Sequence, residues 1–246
     1  MSIFKAHTPA FKDVRGNNLI NSISKMMMVP IKNTKQSVII RGEDCKNPVL
    51  LLIHGGPGST ETPLFRYYNA ELEKSFVVVY WDQRASGKSY TKRDADSPLT
   101  VQMFVQDLCD LTMYLKKLLG KEKIYLFAHS WGTLLGILAV LQHPELFYAY
   151  VGTGQIASMP ESELASYQFA LQTAKEQKNE KAIHELTAIG EPQNGVYSSG
   201  ITGTRTQRKW LNYFGGAIYG SKSIGKFIGK YLTSPEYNLA DIVRVF

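Results

Sequence analysis

The chain has 246 residues, 44% hydrophobic and 20% charged, with a formal net charge of +7 at pH 7. This is globular composition with no window near the ~18 apolar residues of a membrane helix, so neither a membrane span nor a membrane partner is expected. The basic residues are scattered as singles and pairs, among them Lys116-Lys117 and Arg208-Lys209, with no dense stripe, so a solvated surface is expected and no nucleic-acid partner.

Near the N-terminus, Lys12 and Arg15 precede a stretch broken by Asn21, Ser22, Ser24 and Lys25, which lacks the apolar core of a signal peptide. Cys45 and Cys109 lie far apart with no metal-ligand spacing, so reduced thiols and a cytoplasmic location are expected. Strand-like apolar runs follow at 36–41, 48–54, 76–81, 124–128 and 148–152, bounded by Gly, Pro and Asp as in strands buried on both faces. Between them, Phe104, Leu108, Leu111, Leu115 and Leu118 recur at helical steps, with Thr100 placed to cap the helix and Gly120 to end it. Residues 131–142 are almost wholly apolar, as in a helix buried against a sheet. The alternation predicts an α/β fold: a mainly parallel sheet with helices on both faces. Beyond 156 the pattern turns to polar helices, predicted at 162–178, 180–187 and 207–219, with Gly190, Pro192, Gly195, Gly200 and Gly203 punctuating a loop. The expected organisation is an N-terminal core over 1–156 and a helical cap or lid region over 157–246.

Ser130 stands in Ala128-His129-Ser130-Trp131-Gly132, after a strand and before a buried helix. A serine hydroxyl needs presentation and a base to attack, and a sharp strand-to-helix turn flanked by small residues presents it. Ser130 is therefore the candidate nucleophile. The backbone N–H of Trp131 is one candidate oxyanion donor, and the loop His54-Gly55-Gly56-Pro57-Gly58 supplies the second, Gly56, with Gly55 as the alternative.

That loop, the run Trp81-Asp82-Gln83-Arg84-Ala85-Ser86-Gly87-Lys88-Ser89 and the serine turn with Trp131 together resemble the prolyl iminopeptidase branch of the α/β hydrolases, firmly over about 30–155. The resemblance implies release of an N-terminal residue, usually proline, from short peptides, without metal or cofactor. An esterase or amidase of the same fold acting on another acyl substrate, and a non-catalytic peptide-binding homologue, are the alternatives. The family usually has glycine where this chain has Ala85 and Ala128; a positive φ at Ala85 would cost on the order of 1 kcal/mol. The Asp82-Gln83-Arg84 group is expected to brace neighbouring loops.

A serine hydrolase also needs an acid and an imidazole, which in this fold follow the serine in that order. His143 lies ~20 Å along the helix that follows Ser130, and His184 lies in a polar helix. His129 should leave its strand on the opposite face, His54 should bond its own loop, and His7 has no patterned context. No histidine is therefore assigned as the base, nor Asp241 as the acid. The resemblance places both after two further strands, so the chain is expected to lack on the order of 100 residues of the complete fold, to turn over poorly and to expose a sheet edge. Glu161, Glu191 and Glu236 are the acids available for a substrate amine.

Overall fold

A computed structural model describes residues 6–218 and 225–244, and the chain divides into two units. Unit one comprises Met1–Gln155 with Gly229–Phe246; unit two is Ile156–Ile228. The division begins one residue from the expected boundary. It differs at the other end, where Gly229–Phe246 belongs with the sheet unit rather than with the helices before it.

Unit one is built on six strands: β1 (Ile23–Ile31), β2 (Thr34–Gly42), β3 (Val49–Ile53), β4 (Val77–Trp81), β5 (Ile124–His129) and β6 (Phe147–Thr153). Their order in the sheet is β1-β2-β4-β3-β5-β6. The β1–β2 and β2–β4 pairs are antiparallel, and the remaining three are parallel. The sheet is thus the mixed, mostly parallel one of an α/β hydrolase fold. Strand β1, absent from the expected strands, is half-exposed along much of its length, which blurs the apolar run that marks a buried strand. Strand β6 ends the sheet, and Tyr148 and Val151 on it are exposed.

Strands β3 and β4 have both faces covered because their side chains alternate between two cores. Val49, Leu51, Ile53, Val77, Val79 and Trp81 join one core with α3 (Val101–Leu119) and α4 (Trp131–Gln142), through Leu108, Leu111, Leu115 and Leu135. Leu50, Leu52, Val78 and Tyr80 join the other with Phe65 of α1 (Thr62–Asn69). A short α2 (Lys92–Ala95) lies between the motif loop and α3. Helix α3 starts and stops where the sequence predicts: the Thr100 side chain accepts the Met103 amide, and Gly120 closes the helix at φ 62°.

Unit two holds α5 (Met159–Glu176), α6 (Glu180–Ile189) and α7 (Ile201–Tyr213) around Tyr167, Ala170, Leu186, Tyr197 and Trp210. Helix α7 begins six residues before its predicted start, and its predicted end, Tyr219, lies outside the described residues. Gly203 therefore sits in a helix rather than in the expected loop. Its role there is close packing, since a Cβ would come within 2.6 Å of the Tyr197 side chain. Helices α8 (Gly225–Thr233) and α9 (Leu239–Val243) follow. Tyr231, Tyr237 and Ile242 from this last segment pack into the second core of unit one. Among the described residues no strand follows β6, and no helix is long and apolar enough to cross a membrane.

Candidate active site

Three segments meet at the C-terminal ends of β3, β4 and β5, where ligands bind in open α/β sheets. The first is the turn from β5 into α4. Ser130 occupies it at φ 49°, ψ −122°, a conformation that costs a non-glycine residue of order 1–3 kcal/mol and collects at functional sites. The Ser130 amide is held by the Thr153 carbonyl at 2.9 Å, and its carbonyl accepts the Thr133 amide at 2.8 Å, so the turn is fixed on both sides. Two small residues make it possible. A Cβ on Gly132 would lie 2.3 Å from the Ile53 carbonyl oxygen, so only glycine lets α4 start this close to β3. Ala128 is fully buried, and its methyl is accommodated opposite Gly136, where a Cβ would stand 3.4 Å away. Ala128 does not take a positive φ, so the departure from glycine there carries no left-handed backbone strain.

The second segment is the loop after β3. A Cβ on Gly55 would sit 3.2 Å from the Ser130 Cβ, which places this loop directly against the serine turn. Gly56 holds φ 120° and Gly58 φ 89°, and the Gly56-Pro57 peptide is cis. His54 anchors the loop's start. Its Nδ1 lies 2.8 Å from the Gly55 carbonyl, and its Nε2 accepts the Gln83 amide at 3.0 Å. Burial lowers its pKa, consistent with a neutral ring accepting through Nε2.

The third segment is the loop after β4, where bracing is what the structure shows. Gln83 donates through Nε2 to the His54 carbonyl at 2.8 Å and accepts the Trp131 indole N–H at 3.2 Å, tying the other two segments together. Arg84 makes a two-pronged contact with Asp107 of α3, at 2.9 and 2.8 Å. Asp82 accepts the Lys88 amide at 2.9 Å and the hydroxyls of Thr60 and Tyr237. Ala85 takes φ 58°, the strained case anticipated from sequence. Replacing Ala85 by glycine relieves about 1–2 kcal/mol of strain and loosens the unfolded chain by about half as much. The variant is expected to gain about 0.5–1 kcal/mol in urea unfolding; no gain would show that the loop has relaxed around the methyl.

None of the histidines is bonded to the Ser130 hydroxyl among the described residues. His143 caps the end of α4 and contacts Glu145. His129 keeps the alternation of β5: its ring lies with Phe65 and Phe127, on the face away from Ala128, and Gly55 lies against both that ring and Ser130. Its Nδ1 lies 2.6 Å from Glu61, and this bond raises the imidazole pKa. Glu61 is a lone acid in a loop, with no sequence signal to mark it.

Of the acids considered for an amine, Glu236 is already engaged and is not available to one. It is 1% exposed, pairs with Arg66 and accepts hydroxyls from Thr8 and Ser234, partners that a buried carboxylate requires. Glu161 and Glu191 are exposed in unit two. Asp241 caps α9 and pairs with Lys88. Among the described residues no group of three His, Cys, Asp or Glu side chains is placed to hold a metal ion.

The family profile of the alpha/beta hydrolase fold matches residues 48–186, and the chain belongs to that family. It is 41% identical over 172 residues to the probable aminopeptidase YbaC of Bacillus subtilis (strain 168), a match covering 70% of this chain and 54% of that protein. It is also 31% identical over 133 residues to a proline iminopeptidase of Lactobacillus delbrueckii subsp. bulgaricus, covering 53% and 43%. The resemblance to prolyl iminopeptidases seen in the motifs therefore extends to whole aligned segments. The chain spans about half the length of the curated relatives it matches. A crystal structure of a proline iminopeptidase-related protein from Thermus thermophilus superposes with a TM-score of 0.52 at 24% identity, over 65% of this chain and 59% of that one, and shows the shared fold.

Proposed function

We propose that the protein is a serine hydrolase of the aminopeptidase type, with Ser130 attacking the carbonyl carbon of the N-terminal residue, usually proline, of a short peptide. The observation that carries this reading is Ser130 itself: a non-glycine residue at φ 49° between a buried strand and a buried helix, with a glycine loop against its side chain. In this reading the hydroxyl adds to the carbonyl carbon, the carbonyl oxygen becomes an oxyanion, and its collapse breaks the C–N bond, the serine proton going to the departing amine as an acyl-enzyme forms. The N–H groups of Trp131 and Gly56, with Gly55 the alternative, would receive that oxyanion. One such donor is typically worth about 3–4 kcal/mol in the transition state. The relatives named aminopeptidase and proline iminopeptidase support the peptide substrate. Unpaired Cys45 and Cys109 support the cytoplasm as the compartment in this reading.

We assign the proton-accepting imidazole to none of the histidines of this chain, so turnover by these 246 residues is expected to be slow. Residual rate then rests on the oxyanion donors and on binding. The test is a fluorophosphonate probe followed by peptide mapping, with hydrolysis of a proline aryl-amide compared with that of short acyl esters. Label is expected on Ser130, absent in Ser130→Ala, together with preference for the proline amide. Preference for esters would move the protein to the esterase reading. Peptide binding without any label would make it a non-catalytic homologue.

A further inference from the structure

The segment 229–244 has no role in the reading above, yet it reaches the loop that carries Gly55 and Gly56. That loop is held at its start by His54 and Gln83. Its far end is Thr60, fully buried and four residues beyond Gly56. Two tyrosines hold Thr60 from different directions. The Tyr231 hydroxyl donates to the Thr60 carbonyl at 2.6 Å. The Tyr237 hydroxyl lies 3.0 Å from the Thr60 hydroxyl, and both donate to the same Asp82 oxygen. Lys88 and Asp241 pair across the same junction, and the Gly87 amide points to the Arg244 carbonyl at 3.4 Å.

We propose that Tyr231 and Tyr237 are positioning residues for the oxyanion loop, acting through Thr60 and Asp82 on the backbone N–H groups of Gly55 and Gly56. This inference rests on the serine hydrolase reading. The physical case is that glycines are chosen where the chain must come close, and they leave the loop without stiffness of its own. Glycine-rich backbone keeps a donor within a few tenths of an ångström only if its ends are fixed, and a donor out of place loses its transition-state value. Burial and the neighbouring Asp82 carboxylate hold the Tyr237 phenol pKa well above its ordinary value, so the hydroxyl is a permanent donor. The ring remains packed with Tyr80 and Leu52 in the second core whether or not the hydroxyl is present. Hydroxyl and ring can therefore be tested apart.

The experiment measures Ser130 phosphonylation by a fluorophosphonate, resolved into probe affinity and maximal rate, for Tyr237→Phe, Tyr231→Phe and Thr60→Val in the full chain. Tyr80→Phe is the control: a buried phenol bonded to Glu73 at 2.7 Å rather than to the loop. The expected result is a maximal rate at least tenfold lower in the Tyr237 and Tyr231 variants, with probe affinity within twofold of wild type. Tyr80→Phe should lose comparable thermal stability and keep its rate. Hydrogen exchange of the amides from 55 to 60 should also quicken in the two loop-holding variants and not in the control, which gives a second readout if one variant folds poorly. Rates and exchange unchanged in both variants, in a wild type that labels normally, would overturn the inference and leave the hydrolase reading standing. A wild type that takes no label would overturn both.

Discussion

Asp107→Ala is expected to lower the stability of the sheet unit by about 3–5 kcal/mol, the usual cost of removing one partner from a buried ion pair. Asp107 is completely buried on α3, and its oxygens accept two bonds from Arg84 and one from the Gln36 amide at 2.6 Å. Gln36 in turn accepts the Trp81 indole N–H at 2.8 Å, so the carboxylate lies at the centre of a network joining β2, β4 and α3. Asp107 holds the Arg84 guanidinium pKa above its ordinary value, and an arginine stays charged even when that partner is removed. The remaining anion is Asp94, at 3.7 Å. Urea unfolding checks the figure, and a double variant separates its causes. Arg84→Met with Asp107→Leu removes both charges and should recover most of the loss, because desolvating an ion pair offsets much of its attraction. If the double variant is as unstable as Asp107→Ala, packing rather than stranded charge accounts for the effect. Arg84 lies next to Gln83, so the single variant should also slow Ser130 labelling; unchanged labelling would show that the motif loop is braced without it.

The second large effect is expected at Gly132. Alanine there would put its methyl 2.3 Å from the Ile53 oxygen, 2.8 Å from the Ile53 carbonyl carbon and 2.8 Å from the His54 oxygen. All three are backbone atoms of β3 or the residue that follows it, so no side chain can rotate away. Overpacking a core usually costs about 1–3 kcal/mol, and a clash with central-strand backbone belongs at or above the top of that range. Relief requires α4 to move away from β3, carrying the Ser130 turn and the Trp131 amide away from Gly55. Gly132→Ala should therefore lose at least about 3 kcal/mol and, in whatever remains folded, the reaction with a fluorophosphonate. Gly120 is the comparison: a substitution there meets nothing within 4 Å, so Gly120→Asn should cost only about 1 kcal/mol and leave the serine reactive. Equal losses at the two positions would mean that backbone entropy, not the clash, sets the cost.

Much of this architecture is legible in the chain because its signals are local. Helix α3 is bounded by a threonine and a glycine whose capping chemistry involves only the few residues around them. Strands β3 and β4 are continuous apolar runs because both of their faces are covered. The serine turn is readable for the same reason: the small residues around Ser130 record a steric demand made by its immediate neighbours. What escaped was non-local or diluted. Strand β1 carries half-exposed residues and a proline, so its pattern does not differ from that of a loop. Helix α7 contains Gly203, a residue that reads as a break until Tyr197 is found packed against it.

The amino-acid order alone therefore determined the serine turn, the glycine loop, the bracing motif and the α/β layering, since each is encoded by residues within a few positions of one another. Only the tertiary structure decided that Glu61 meets His129, that Glu236 is taken up by Arg66, and that Tyr231 and Tyr237 close on Thr60 from more than 170 positions away. The reason is physical: a buried polar group must find its partner wherever folding brings one, and sequence spacing places no constraint on where that partner comes from.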